Sequence, residues 1–291
     1  MPPISSMGSV IVPPLCKGGP GGISVGGGEA NPPQSPFVKG GRKPASTRFP
    51  RILLALCALL AVPAPVQAMH ISEGILPPGW ALLWFLVAAP FVGWGVVQIK
   101  RRKAIDPAYI PLLGIFGAAV FVFSCFPIPV PVAGSTAHPA GTGMSAIFLG
   151  PFASVVVAFI SLLLQALFLA HGGLTTLGGN TLSMGVLGSF GGFAAFKLGR
   201  SLRCNLFWSG FLAGMVADLI TYLGTASEMA LALHGTQPLL SVLGQIYLAF
   251  MPTQIPLSLL EGVVTGGMLV YVHKHRPDIL RKLKVFGEVR A

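Results

Sequence analysis

From residue 107 to residue 196 the chain runs for 90 residues without one Asp, Glu, Lys or Arg. Soluble domains place charge on about a quarter of their residues, and none stays uncharged for that long. A bilayer crossing takes roughly 20 apolar residues, so this stretch alone has room for several. The whole chain agrees, with 53% of its residues hydrophobic and 9% charged. The expected fold is an all-α membrane protein with about seven transmembrane helices in the mature chain. This excludes a soluble enzyme and, despite a net charge of +11, a nucleic-acid binder. It also excludes a disulfide scaffold, because Cys16, Cys57, Cys125 and Cys204 are scattered without metal-ligand spacing and read as small apolar residues.

Ahead of the membrane region lies a different composition. Residues 1–50 hold 10 Gly and 10 Pro and show neither helical nor strand periodicity, so they cannot build a core. Lys39, Arg42, Lys43, Arg48 and Arg51 then lead into the 11-residue apolar run Ile52 to Val62, followed by Pro63, Pro65 and Val66-Gln67-Ala68. A basic region, a short apolar region and a terminal small residue describe a secretory signal peptide cleaved after Ala68. The competing reading is an uncleaved anchor helix continuing through Ala68. A lipoprotein at Cys57 fits less well, since Leu56 stands where a small residue is expected. The domains expected are a low-complexity basic leader (1–50), a signal sequence (51–68), a transmembrane metal-binding domain (69–275) and a basic cytoplasmic tail (276–291). A start site placed too far upstream would account for the leader.

Charge fixes the expected topology. Trp80 to Ile99 is apolar and ends at Lys100-Arg101-Arg102-Lys103, which the positive-inside rule places in the cytoplasm. The mature N-terminus is then outside. A second span, Tyr109 to Phe126, returns outward to the segment Pro127 to Gly143. Lys197, Arg200, Arg203, Lys274, Arg276, Arg281, Lys282 and Lys284 are cytoplasmic on the same rule, so an odd number of crossings separates 143 from 200. Three compact spans satisfy this, at Met144 to Phe159, Ile160 to Ala170 and Leu182 to Gly199, leaving His171 to Thr181 as an outer loop. One long span with a re-entrant hairpin is the rival. Spans at Phe207 to Leu223 and at Leu243 to Tyr271, the latter interrupted by Pro252 and Pro256, complete seven. Gly185, Gly188, Gly191 and Gly192 with Ala194 and Ala195 give one helical face of small residues suited to close helix packing.

Cleavage after Ala68 would make Met69 and His70 the first two residues. The free amine, the amide nitrogen between them and the imidazole of His70 then close two chelate rings on one metal. The amide must lose its proton, which Ni(II), Cu(II) and some Co sites promote, and an all-nitrogen planar set is the geometry of Cu(II) or Ni(II). His138, expected on the same membrane face, is the candidate fourth donor; otherwise it is a loop histidine without a ligand. His171 opens the polar run to Asn180, which roofs or lines the site, because non-helical backbone at membrane depth needs protein or water around it. Either His171 or Asn180 supplies a hydrogen bond that orients a ligating imidazole, or both only cap helix ends. Glu73 helps attract a cation near the terminus. Asp218, Glu228 and Glu261 occupy unrelated positions and make no conduction pathway; His234, His273 and His275 read as bystanders. No phosphate-cradling Gly-x-x-x-x-Gly-Lys-Ser/Thr loop is present, so any ATP use belongs to separate subunits. A serine hydrolase built on Ser145 or Ser183 with His171 lacks the spacing that brings a serine to a base.

Met69-His70-Ile71-Ser72-Glu73-Gly74-Ile75-Leu76-Pro77, Gly134-Ser135-Thr136-Ala137-His138, Gln165-Ala166, the run His171 to Gly185 and Glu261-Gly262 together resemble the CbiM family. Members of that family are cobalt-binding S components of energy-coupling factor transporters, and the likeness covers residues 69–275. It implies an S-component bundle with an added N-terminal helix whose terminus plugs into the metal site. It further implies a ligand set of Met69, His70 and His138, with Co2+ as transported substrate and Ni2+ as the alternative that shares those nitrogens. The partners implied are a CbiQ-like transmembrane coupling protein, CbiO-like ATPase subunits and a CbiN-like small auxiliary membrane protein. The location implied is the cytoplasmic (inner) membrane, in the service of cobalamin biosynthesis. The 68-residue leader is longer than is usual there, and no auxiliary protein is fused at the C-terminus.

Overall fold

The computed structural model describes residues 67–68, 70–126, 128–130 and 135–283, all within one compact unit spanning 54–291. The leader, the apolar run at 52–62 and Met69 lie outside the described residues. Among the described residues eight helices follow one another: α1 (Pro78–Ile105), α2 (Tyr109–Ser124), α3 (Thr142–Leu149), α4 (Pro151–Phe168), α5 (Leu177–Ser201), α6 (Leu206–Leu233), α7 (Leu239–His275) and α8 (Pro277–Lys282). Five of them, α1, α4, α5, α6 and α7, are long and apolar enough to cross a membrane. A small sheet at one end orders its strands β1 (Gln67–Ala68), β3 (Ser135–Ala137) and β2 (Ile128–Val130), with β1 parallel and β2 antiparallel to β3.

Helix ends follow local chemistry. Proline, which has no N–H to lose, opens α1, α4 and α8. Asn205 caps α6 by accepting the N–H of Trp208 at 2.9 Å. The α6–α7 pair is held close by small residues: a Cβ added at Gly210 would stand 2.9 Å from Gly266 Cα. The expected small face of α5 is likewise in contact, with Gly192 against Ala213 and Ala217 of α6. In the core, Phe116 of α2 stacks on Phe148 of α3 with ring centroids 4.4 Å apart.

The region between residues 138 and 201 departs from expectation. The chain does not break near residue 160. It breaks at Gly150, whose φ of +85° favours glycine, with Pro151 immediately after. The first of these segments is therefore composite: strand from Ser135 to Ala137, irregular backbone through the left-handed Gly141, then helical for the eight residues of α3. Every α3 residue is buried, so this irregular backbone meets protein rather than lipid. Its polar ends are provided for. Glu261 of α7 accepts the N–H groups of Ala140 and Gly141 at 2.7 and 2.9 Å, placing an anion where the dipole of α3 is positive. At the other end Arg102 donates to the carbonyl of Leu149 at 2.7 Å.

The remaining boundaries shift outward. Helix α5 begins at Leu177, not at 182, so the loop is shorter than His171 to Thr181. Gly178 and Gly179 favour helix poorly, but they let this turn press against the backbone of Phe85 and the carboxylate of Glu228. Residues 181–188 of α5 are wound as π-helix. Helix α7 passes through Pro252 and Pro256 without interruption. Residues 277–283, expected as a basic tail, fold back to bury Leu280 and Leu283 in the core.

Candidate metal centre

Two histidines far apart in the chain meet here, His70 ahead of α1 and His138 just after β3. Both are buried, and their Nε2 atoms stand 3.0 Å apart. The Nδ1 of His138 lies 3.0 Å from the carbonyl of Pro139. A proton on that Nδ1 turns the Nε2 lone pair of His138 toward His70, so one proton holds the two rings together.

His171, in the loop after α4, completes a cluster. Its ring centroid is 5.1 Å from that of His70 and 5.3 Å from that of His138. One nitrogen from each of the three imidazoles lies within 4.8 Å of the others, and the Nε2 of His171 is buried without a hydrogen bond among the described residues. Burial, reinforced by the neighbouring imidazoles His138 and His171, holds His70 well below the usual histidine range against a smaller opposing effect of Gln165. Burial and then the His171 charge push His138 down to about 3, and burial lowers His171. Three neutral imidazoles, each with a lone pair to give, are what a transition ion requires and a proton is denied.

The segment carrying His70 is latched to the polar loop predicted to roof the site. Asn180 accepts the N–H of Ile71 at 2.8 Å and donates to its carbonyl at 3.2 Å, and Thr176 donates to the same carbonyl. Asn180 therefore orients His70 through the peptide next to it rather than by bonding an imidazole. Gly172 passes so close that an added Cβ would lie 3.3 Å from the Cβ of His70. Glu73 accepts the N–H of Thr175 at 3.2 Å; its bonds to Thr175 hold the carboxyl below the usual range, and it pins the loop from the solvent side instead of facing the histidines. Met69 lies outside the described residues.

Sequence reasoning gave no role to three further residues. Gln165, fully buried in α4, donates to Ser124 beside His70; a single amide inside an 18-residue apolar helix was the available signal. Thr176 was hidden in the polar run. Tyr222 of α6 donates to the carbonyl of His138 at 3.5 Å, and nothing in its spacing marked it. Neither serine of the hydrolase reading serves a base: Ser145 pairs with Ser154, and Ser183 donates to the carbonyl of Gly179.

The family described as "Cobalt uptake substrate-specific transmembrane region", CbiM, matches residues 70–279. The chain belongs to the CbiM family. Among its relatives is the cobalt transport protein CbiM of Geobacter sulfurreducens, 49% identical over 231 residues, covering 79% of this chain and 67% of the relative. The CbiM of Sorangium cellulosum is 49% identical over 217 residues, covering 75% and 96%. The fold resembles the crystal structure of a transition metal transporter, with a TM-score of 0.64 at 27% identity over 77% of this chain and all of the other. A truncated transition metal transporter gives 0.63 at 28% identity, over 71% of this chain and 99% of the other. The S-component resemblance thus holds: this is a multi-pass membrane protein of a CbiM cobalt-uptake system, a transport component and not itself an enzyme.

Proposed function

We propose that the protein captures Co2+ from outside the cytoplasmic membrane, as the substrate-binding subunit of an ATP-driven importer that supplies cobalamin biosynthesis. The observation that carries this reading is the buried pair His70–His138, 3.0 Å apart and held neutral. In the mature protein, cleavage after Ala68 frees the amine of Met69. That amine, the following amide nitrogen, the Nδ1 of His70 and the Nε2 of His138 then bind the ion, the His70 ring turning from its Nε2 contact with His138 to do so, with His171 lining the same cavity. The latch on Ile71 supports this arrangement, because a two-residue chelate holds its geometry only if the backbone behind it is fixed. ATP is hydrolysed by CbiO-like subunits joined through a CbiQ-like coupling protein and accompanied by a CbiN-like auxiliary protein. The mature N-terminus faces outward and the basic helix ends face the cytoplasm.

The decisive experiment inserts one residue between Ala68 and Met69 while keeping cleavage after Ala68. Cobalt uptake by the assembled transporter is expected to cease, because with the histidine in the third position the amine, two amide nitrogens and the imidazole fill the plane around the ion and leave no position for His138. Normal uptake would refute the mechanism. Competition between Co2+ and Ni2+ in the same assay assigns the metal.

A further inference from the structure

Beneath the histidines lies a second polar cluster that their chemistry leaves unused. Asp218 and Tyr222 on α6 face Gln254 and Glu261 on α7, and all four are buried. Asp218 neighbours Glu261, and Tyr222 neighbours Asp218, Gln254 and Glu261. Both carboxylate oxygens of Asp218 and both amide atoms of Gln254 have no hydrogen bond among the described residues. Ionisable groups inside a membrane are expensive and call for compensation. Basic side chains do not supply it, since no Lys or Arg occurs between Arg203 and Lys274 or between Lys103 and Lys197. What the cluster offers is oxygen: two carboxylates, a phenol and an amide carbonyl. The two oxygens of Glu261 that accept from Ala140 and Gly141 each keep a further lone pair.

We infer that Asp218, Tyr222, Gln254 and Glu261 form a second divalent-cation site, made of oxygen donors, one layer deeper in the bundle than the histidines. Two negative charges match one divalent ion, and the ion satisfies Asp218, Gln254 and Tyr222 together, which a shared proton does not. The site is joined to the first one, because Tyr222 holds the carbonyl of His138 and Glu261 holds the two amides that follow Pro139. Oxygen ligands bind first-row ions more loosely than imidazole does and favour hard cations. An ion leaving the nitrogen site toward the basic end of the bundle meets a weaker resting place. The inference goes beyond capture, and only the direction of travel rests on the proposed function.

The test is a Co2+ titration of the purified mature protein in detergent, followed by d–d absorbance and repeated with Mn2+ by electron paramagnetic resonance. Two equivalents of Co2+ are expected, the second about tenfold or more weaker and spectrally of octahedral oxygen type, with Mn2+ entering the second site. Asp218→Asn removes the second equivalent and leaves the first within about twofold, which also shows that the variant folds. Gln254→Leu, close to isosteric, weakens the second about tenfold and decides the matter if Asp218→Asn does not fold. Saturation of the wild type at one equivalent, or a second equivalent that survives Asp218→Asn, overturns the site. Loss of the first equivalent alone in His138→Ala leaves it standing; wild type that binds only the second equivalent defeats the capture mechanism and not this one.

Discussion

Replacing Asn180 by Ala strips the Ile71 peptide of its side-chain acceptor while touching no metal ligand. The N–H of Ile71 loses its 2.8 Å bond in a buried setting, which costs about 1–3 kcal/mol. The two bonds donated by the amide, at 3.2 and 3.3 Å to the Ile71 carbonyl and Thr176, are long and add about 0.5 kcal/mol each. The carbonyl itself stays satisfied, because Thr176 still donates to it. The sum is about 2–4 kcal/mol, which at 1.4 kcal/mol per tenfold raises the Kd for Co2+ by about 30- to 1,000-fold if the latch serves to position His70. Competition against a fluorescent chelator on purified mature protein reads the Kd, and a melt shows whether the bundle stays folded. Glu73→Gln, altering an exposed pin, is the control and shifts Kd less than about fivefold. A folded Asn180→Ala protein with a Kd within threefold of wild type would refute the latch.

Glu261→Ala leaves the N–H groups of Ala140 and Gly141 without their acceptors; a loss of about 3 kcal/mol or more lowers the melting temperature in detergent, and an unchanged melt contradicts the capping of α3. Gly150→Ala forces a side chain into φ +85° with its Cβ 3.1 Å from the Arg102 guanidinium, costing about 1–3 kcal/mol, read by the same melt. Folding lowers the proton affinity of His70, His138 and His171, so below the unfolded pKa of about 6.5 the unfolded chain binds more protons. The share of metal-free stability that depends on these imidazoles, read as the difference between the wild type and a His70→Ala, His138→Ala, His171→Ala triple variant, therefore falls on acidification below about pH 6.5, by at most about 1.4 kcal/mol per pH unit for each imidazole. A difference that rises on acidification would contradict the neutral cluster.

Much of this was readable because bilayer physics writes in long runs. An uncharged stretch of 90 residues and basic clusters at helix ends need only hydropathy to interpret, and the histidines announced themselves by placement in polar islands. What failed was punctuation within the apolar run. Gly150-Pro151 is a strong stop, yet hydropathy does not register it, and a helix of eight residues entered from irregular backbone carries no length signal at all. Pro252 and Pro256 misled in the opposite sense, since neighbouring helices tolerate proline in a membrane helix. The meeting of Tyr222 and Glu261 with the His138 segment depends on contacts 84, 120 and 121 residues apart in the chain, beyond any local pattern.

The carboxylate of Glu261 has a mechanical meaning as well. It grips the main chain two and three residues from His138, while the same helix exposes Leu259, Leu260 and Val263 along its flank. Any push on that flank is a push on a lever whose short arm ends at the imidazole. On the proposed capture mechanism, force applied sideways and far from the ion would loosen the grip on it without any chemical signal crossing the bundle.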